Sequence, residues 1–178
     1  MYKQLIKNSL RLLTKNNTYY QFSSFKMADQ KHDQVVDQVH KKLKPNELIT
    51  TVNTDKAPKA VGPYTQGKIV AAGARLFYAS GQIAINPETN TFDETSCVVS
   101  QTEQVLKNLT AVLHEAGTDL EYVVKVNIFL DDMDNFAKVN EVYGKYFTGD
   151  NKPARACVAV KTLPKNAKVE IECVAVVP

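Results

Sequence analysis

After residue 50 this chain reads as β-β-β-α-β-α-β-β, and two helices cannot cover both faces of the sheet that so many strands would form. The clearest strand signals are β-branched or alternating runs at 69–71, 76–80, 122–130, 154–162 and 168–177. Turn chemistry separates them at Ala72-Gly73-Ala74, Asn86-Pro87-Glu88-Thr89-Asn90 and Leu163-Pro164-Lys165-Asn166-Ala167. Val105, Leu109, Val112 and Ala116, with Leu106 and Leu113 beside them, fall at helical spacing over about 100–116, and Gly117 suits a left-handed stop. A second helix, capped by Asp132 or Asp134, runs to about Phe147 with Phe136, Val139, Tyr143 and Tyr146 or Phe147 on its apolar stripe. In 122–130, alternation points Val124, Val126, Ile128 and Leu130 one way. The segment 163–167 is short enough to close the last two strands as an antiparallel hairpin. The expected fold is α+β: a mixed β-sheet with both helices packed on one face. Ala156, Val158, Val160, Val169 and Ile171 then need further cover, so self-association is expected.

With 178 residues, 44% hydrophobic and 23% charged, the chain suits one globular domain plus an extension. No window reaches the roughly 20 apolar residues of a helical membrane span. The net charge of +3 divides unevenly. Residues 1–50 hold nine basic and four acidic side chains, a balance of +5, whereas 51–178 hold thirteen and fifteen, a balance of −2. A mildly acidic domain does not track phosphates, so a nucleic-acid partner is not expected. Cys97, Cys157 and Cys173 form no CxxC, and His32, His40 and His114 show no ligand spacing, so neither a disulfide framework nor a metal site is expected.

Residues 1–28 read as a mitochondrial presequence. Lys3, Lys7, Arg11 and Lys15 recur every fourth residue, Lys26 follows, and no acid precedes Asp29. Leu5, Ile6, Leu10, Leu12 and Leu13 make the segment amphipathic; the alternative is a basic tail or a surface-binding helix. The expected location is the mitochondrial matrix, with a cytosolic form if translation starts at Met27. Residues 29–50 read as a charged linker, with Val35, Val36, Val39 and Leu43 able to line a short helix. The globular domain is expected over 51–178.

Arg155 stands out within it, as one of two arginines after residue 50 against eleven lysines. Alternation puts Arg155, Cys157 and Ala159 on one strand face. A guanidinium fork there suits bidentate capture of a carboxylate, and the alternative is a surface ion pair. Glu170 and Glu172 share a face near the start of the last strand, where an acid in a cleft can activate water or simply be solvated. Asn140 beside the second helix's stripe is either a helix-to-strand bond or a substrate contact. Tyr64 is a core tyrosine or a pocket hydroxyl, and Gly81 allows an anion to approach its N–H. Ser80 has no adjacent base, and Cys157 reads as a small pocket wall rather than a nucleophile.

Taken together, these residues resemble one family. Ala57-Pro58, Gly62-Pro63-Tyr64-Thr65-Gln66, Ser80-Gly81-Gln82-Ile83, Gln101, Leu106-Lys107-Asn108-Leu109 and Val124-Lys125-Val126-Asn127 carry the resemblance. Phe136-Ala137-Lys138-Val139-Asn140, Pro153-Ala154-Arg155 and Val169-Glu170-Ile171-Glu172 complete it, so that it spans about 53–177. The family is that of the reactive intermediate deaminases (Rid, also labelled YjgF or L-PSP endoribonuclease). The resemblance implies a chorismate-mutase-like subunit in a homotrimer with clefts between neighbours. It implies hydrolysis of 2-iminobutanoate and 2-iminopropanoate to 2-oxo acids and ammonia, without cofactor or metal. Such imines leave pyridoxal-phosphate enzymes, such as that of threonine breakdown on the way to isoleucine, and damage others if they persist. By motif, Arg155 would clamp the carboxylate and Glu170 would position the water. Tyr64, Ser80 and Asn140 would line the cleft, with backbone groups of Gly81 and Cys157 adding hydrogen bonds. The segment 148–152 is shorter than in some bacterial relatives and borders the cleft. The rival readings are an RNA-binding or RNA-cleaving translation inhibitor and a chaperone-like mitochondrial maintenance protein.

Overall fold

The computed structural model describes residues 43–178. The expected presequence, Met27 and most of the expected linker lie outside the described residues. A single helical turn, α1 (Pro45–Leu48), leads directly into β1 (Ile49–Val52), which pairs antiparallel with β2 (Gly67–Val70). The ordered fold thus begins ahead of residue 50, because Leu48 and Ile49 are buried.

Four strands make the main sheet: β3 (Arg75–Gln82), β6 (Val123–Leu130), β7 (Ala154–Ala159) and β8 (Val169–Val177), in the order β3-β8-β6-β7. A short pair, β4 (Ile85–Asn86) and β5 (Thr91–Phe92), holds the Asn86–Asn90 turn. Two helices, α2 (Val98–Glu115) and α3 (Phe136–Tyr146), pack on one face of the sheet. Beneath them lie Val126, Ile128 and Leu130 of β6 and Val169, Ile171, Cys173 and Ala175 of β8, all buried. This is an α+β, chorismate-mutase-like arrangement.

The α2 stripe sits slightly off the expected one. Val105, Leu106, Leu109 and Leu113 are fully covered, while Val112 is on the exposed margin. Gly117, with φ +77°, ends the helix in the left-handed region as its sequence position predicts. Asp132 caps a 3-10 turn (Met133–Asn135) by accepting from the Asp134 N–H at 2.9 Å, and α3 follows at Phe136.

Three expectations are corrected. The last two strands do not form a hairpin: β7 runs parallel to β6, and β6 lies between it and β8, to which it is antiparallel. A strand that returns through a helix joins its predecessor in parallel, so α3 places β7 beside β6 and leaves 163–167 to step across the sheet. Val169 and Ile171, expected on the uncovered face, lie fully buried under the helices. Finally, a bulge between Val123 and Lys125 turns Val124 away from Val126 and Ile128. Val124 joins a second cluster with Leu48, Ile49, Tyr122 and Val176, beneath the β1–β2 hairpin.

That hairpin covers only one end of the second sheet face. The rest presents Leu76 and Tyr78 of β3, Lys125, Asn127 and Phe129 of β6, Glu170 and Glu172 of β8, and Ala156 and Val158 of β7. Tyr78 is 70% and Val158 48% exposed, so this face is left uncovered among the described residues.

Candidate active site

Arg155 is the second residue of β7 and faces the helices, in register with Val126 of β6 and, through it, Cys173 of β8. Its Nη1 donates to Asn140 Oδ1 at 2.7 Å. Aromatic rings surround its guanidinium carbon, with centroids at 4.8 Å for Tyr143, 5.4 Å for Tyr64 and 5.9 Å for Phe136. Such contacts stabilise a cation without occupying its in-plane donors. Among the described residues the ion pairs are His114–Asp119 and Lys145–Glu141, so no carboxylate neutralises Arg155. The surface ion pair considered from the sequence is therefore not what forms.

Local sequence explains the collar. Phe136, Asn140 and Tyr143 stand at i, i+4 and i+7 of α3 and share one helix face. Tyr64 comes from the loop ahead of β2. There the Thr65 N–H donates to Pro153 O at 3.0 Å, and Gln66 Nε2 donates to Pro58 O at 2.8 Å, tying the loop to itself and to the start of β7. Gly62 lies close to the guanidinium: a Cβ there would sit 3.2 Å from Arg155 Nη2. Sequence reasoning placed Phe136 and Tyr143 in the core and missed their role beside Arg155, although their spacing from Asn140 carried the signal. Tyr143 is fully buried and its hydroxyl has no partner among the described residues. Burial pushes its ionisation far up, against the opposing pull of Arg155. Cys157, also half-buried here, has its thiol raised by burial despite the nearby Arg155 charge, which suits a pocket wall rather than a thiolate nucleophile.

Glu170, Gly81 and Ser80 form a second group elsewhere. Glu170 pairs through Phe129 with Val158, three residues along the strands from the row of Arg155, or roughly 10 Å. An odd separation also reverses the face, so Glu170 projects from the uncovered side. Its carboxylate lies across Gly81, where any Cβ would overlap it. The β3–β8 pairing slips between Ala79 and Gln82, and this bulge brings the Gly81 backbone against the acid. Ser80 is exposed beside it. Neighbouring Glu172 accepts from Asn127 Nδ2 at 2.8 Å. One copy of the chain therefore unites Arg155, Asn140, Tyr64 and Cys157, and separately Glu170, Gly81 and Ser80, without joining the two groups. Among the described residues no cluster of three His, Cys, Asp or Glu is placed to hold a metal, and no helix is long and apolar enough to cross a membrane.

The site is thus an arginine without a carboxylate partner among the described residues, in an aromatic collar at the sheet edge of a chorismate-mutase-like fold. The family model described as endoribonuclease L-PSP matches residues 54–177, and the chain belongs to that family, the Rid or YjgF group. It is 52% identical to the RutC family protein slr0709 of Synechocystis over 71% of this chain and 95% of that protein. It is 47% identical to Reactive Intermediate Deaminase A, chloroplastic, of Arabidopsis thaliana, over 70% of this chain and 64% of that protein. The crystal structure of E. coli TdcF with bound serine superposes with a TM-score of 0.53 at 37% identity, covering 71% of this chain and 98% of that one. The family thus includes a protein named as a deaminase of reactive intermediates.

Proposed function

We propose that this protein hydrolyses small 2-imino acids, 2-iminobutanoate and 2-iminopropanoate among them, to 2-oxo acids and ammonia. It does so as a homotrimer whose sites lie between subunits. The observation that carries this reading is Arg155, a cation with no acidic partner among the described residues, its Nη1 bonded to a neutral amide. The substrate carboxylate takes an edge of its guanidinium fork as a bidentate pair. Asn140, a neutral acceptor, holds the fork from behind without competing for the charge.

The two separated groups support a shared site. Arg155 cannot work with its own Glu170, which projects from the other sheet face, whereas a second copy packed on the uncovered face can bring its acid to the first copy's arginine. Glu170 of the partner subunit orients water against the protonated imine carbon. As the water oxygen bonds to carbon, the C=N pair moves to nitrogen and the Glu170 carboxylate takes a proton from the water, giving a neutral carbinolamine. Glu170 returns that proton to the amine nitrogen; the C–N bond then breaks, its electrons leaving with ammonia, as the O–H electrons form C=O and the hydroxyl proton passes back to Glu170. Orientation alone contributes on the order of several kcal/mol to such an addition. No nucleophilic side chain and no cofactor enters these steps.

Arg155→Ala is expected to abolish ammonia release when threonine dehydratase supplies the imine, with the oligomer intact by light scattering. Unchanged turnover refutes the assignment. In the cell the activity would spare pyridoxal-phosphate enzymes, including those of isoleucine synthesis. The basic, acid-free segment 1–28 supports delivery to the mitochondrial matrix, with a cytosolic form from Met27. N-terminal mass spectrometry of fractionated cells separates the two forms.

The family model's own description favours a second reading, cleavage of RNA. A balance of −2 over residues 51–178 opposes it. Real RNA binding would weaken steeply as salt rises, and a flat response excludes it.

A further inference from the structure

We propose that two amide side chains of α2, Gln101 and Asn108, are positioning residues that hold Glu170 over the Gly81 backbone. This rests on the hydrolytic reading above, since it assigns what keeps the water-orienting acid in place.

Gln101 is 1% exposed, in a helix stripe otherwise built from Val, Leu and Thr. Its Oε1 accepts from the Lys168 N–H at 2.8 Å, and its Nε2 donates to Ser96 O at 3.2 Å. Lys168 in turn accepts from the Asp131 N–H at 3.1 Å. The residue just ahead of β8, two before Glu170, is thus clasped between a helix amide and the residue that follows β6. Asn108 stands seven residues on, along the same helix face. Its Nδ2 donates to Ile85 O at 2.8 Å and to Ile83 O at 3.4 Å, and its Oδ1 accepts from Gln104 Nε2 at 2.8 Å. Ile83 lies two residues after Gly81.

One rigid helix therefore grips both chain segments whose contact sets the acid: the start of β8 and the segment leaving the β3 bulge. A Cβ at Gly81 would overlap the Glu170 carboxylate, so the acid lies directly against that stretch of backbone. An apolar side chain at 101 would leave the Lys168 N–H and Ser96 O without these partners, and Asn108 adds nothing to the apolar core. What both side chains supply is direction to backbone carbonyls and an N–H flanking the acid.

The test uses the full chain and its variants Gln101→Met, Gln101→Glu and Asn108→Ala, with crystal structures and steady-state kinetics on imine generated in situ. Gln101→Met keeps the volume without the acceptor, and Gln101→Glu restores the acceptor for Lys168. The expected result is Glu170 displaced from Gly81 in Gln101→Met and Asn108→Ala. Their kcat should fall about 10- to 100-fold. KM should change by less than about twofold, because Arg155 binds the carboxylate on the other sheet face. Gln101→Glu is expected to recover most of the kcat. Should Gln101→Met fail to fold, Asn108→Ala, half-buried and away from the main core, carries the test alone. A Glu170 that stays in place overturns the proposal whatever the activity, as does a displaced Glu170 with unchanged kcat. A parent protein that hydrolyses no imine overturns the functional reading instead, and the structures still decide whether the amides place the acid.

Discussion

Arg155 keeps its charge half-buried because ring faces and one amide oxygen, rather than an acid, surround it. On the proposed function, the neutrality of Asn140 leaves that charge for the substrate. Asn140→Asp would give the guanidinium a permanent internal carboxylate at the place of the 2.7 Å bond. The expected outcome is a KM raised about tenfold or more, about 1.4 kcal/mol of lost substrate binding, with the fold unchanged by circular dichroism. An unaltered KM would mean that Arg155 does not meet the substrate carboxylate. That Phe136, Asn140 and Tyr143 share a helix face was legible in helical spacing, because positions along one helix follow from local geometry, but their place around Arg155 was not. Nor was the contact of Glu170 with Gly81, since it depends on a bulge in one strand meeting the start of another.

Among the elements, α2 bears most of the architecture, packing on β3 and β8 and carrying both amides. Yet its N-terminus is poorly finished. Cys97 occupies the N-cap position with no side-chain cap bond, and no acid stands in the first turn. A carboxylate there would accept from a free N–H and meet the positive end of the helix dipole. Cys97→Asp is expected to raise unfolding stability by about 1 kcal/mol in urea titration with the m-value unchanged. A loss of stability would show that the exposed thiol already serves as the cap. From α2 onward element order was readable from the sequence because strand and helix periods are local signals, whereas the two-residue strands β4 and β5 are too short to show a period. Partner choice was not: whether β8 adjoins β7 or β6 depends on where α3 returns the chain.

For the whole molecule, the uncovered sheet face and the alkaline limit carry the tests. Val158→Glu puts a charge on that face, where Val158 is 48% exposed in a single copy. The expected outcome is a shift toward monomer by light scattering with helix content retained, and loss of imine hydrolysis alongside it. An undisturbed oligomer would place the subunit contact elsewhere. Burial, helped by Glu172, pushes the Cys173 thiol up to about 12 from an ordinary value of 9.0, and burial raises the Tyr143 phenol from its ordinary 10.0. In the unfolded chain both ionise near those ordinary values, so above pH 9 the native state holds more protons than the unfolded one. Stability is intact below that pH and falls as pH rises toward 12, by about 1.4 kcal/mol per pH unit for each group once its unfolded form has ionised. A urea midpoint that stays level from pH 8 to 10.5 would contradict the burial of these two groups. By itself the sequence determined the α+β class, the order of elements from α2 onward, the family and the face that Arg155 shares with Cys157, since all of these follow from periodicity and local motifs. Only the tertiary structure decided that β6 parts β7 from β8, that Val169 and Ile171 lie beneath the helices, and that Arg155 and Glu170 project from opposite faces. Strand pairing and bulges are settled by long-range closure, and a single residue of slip reverses every side chain.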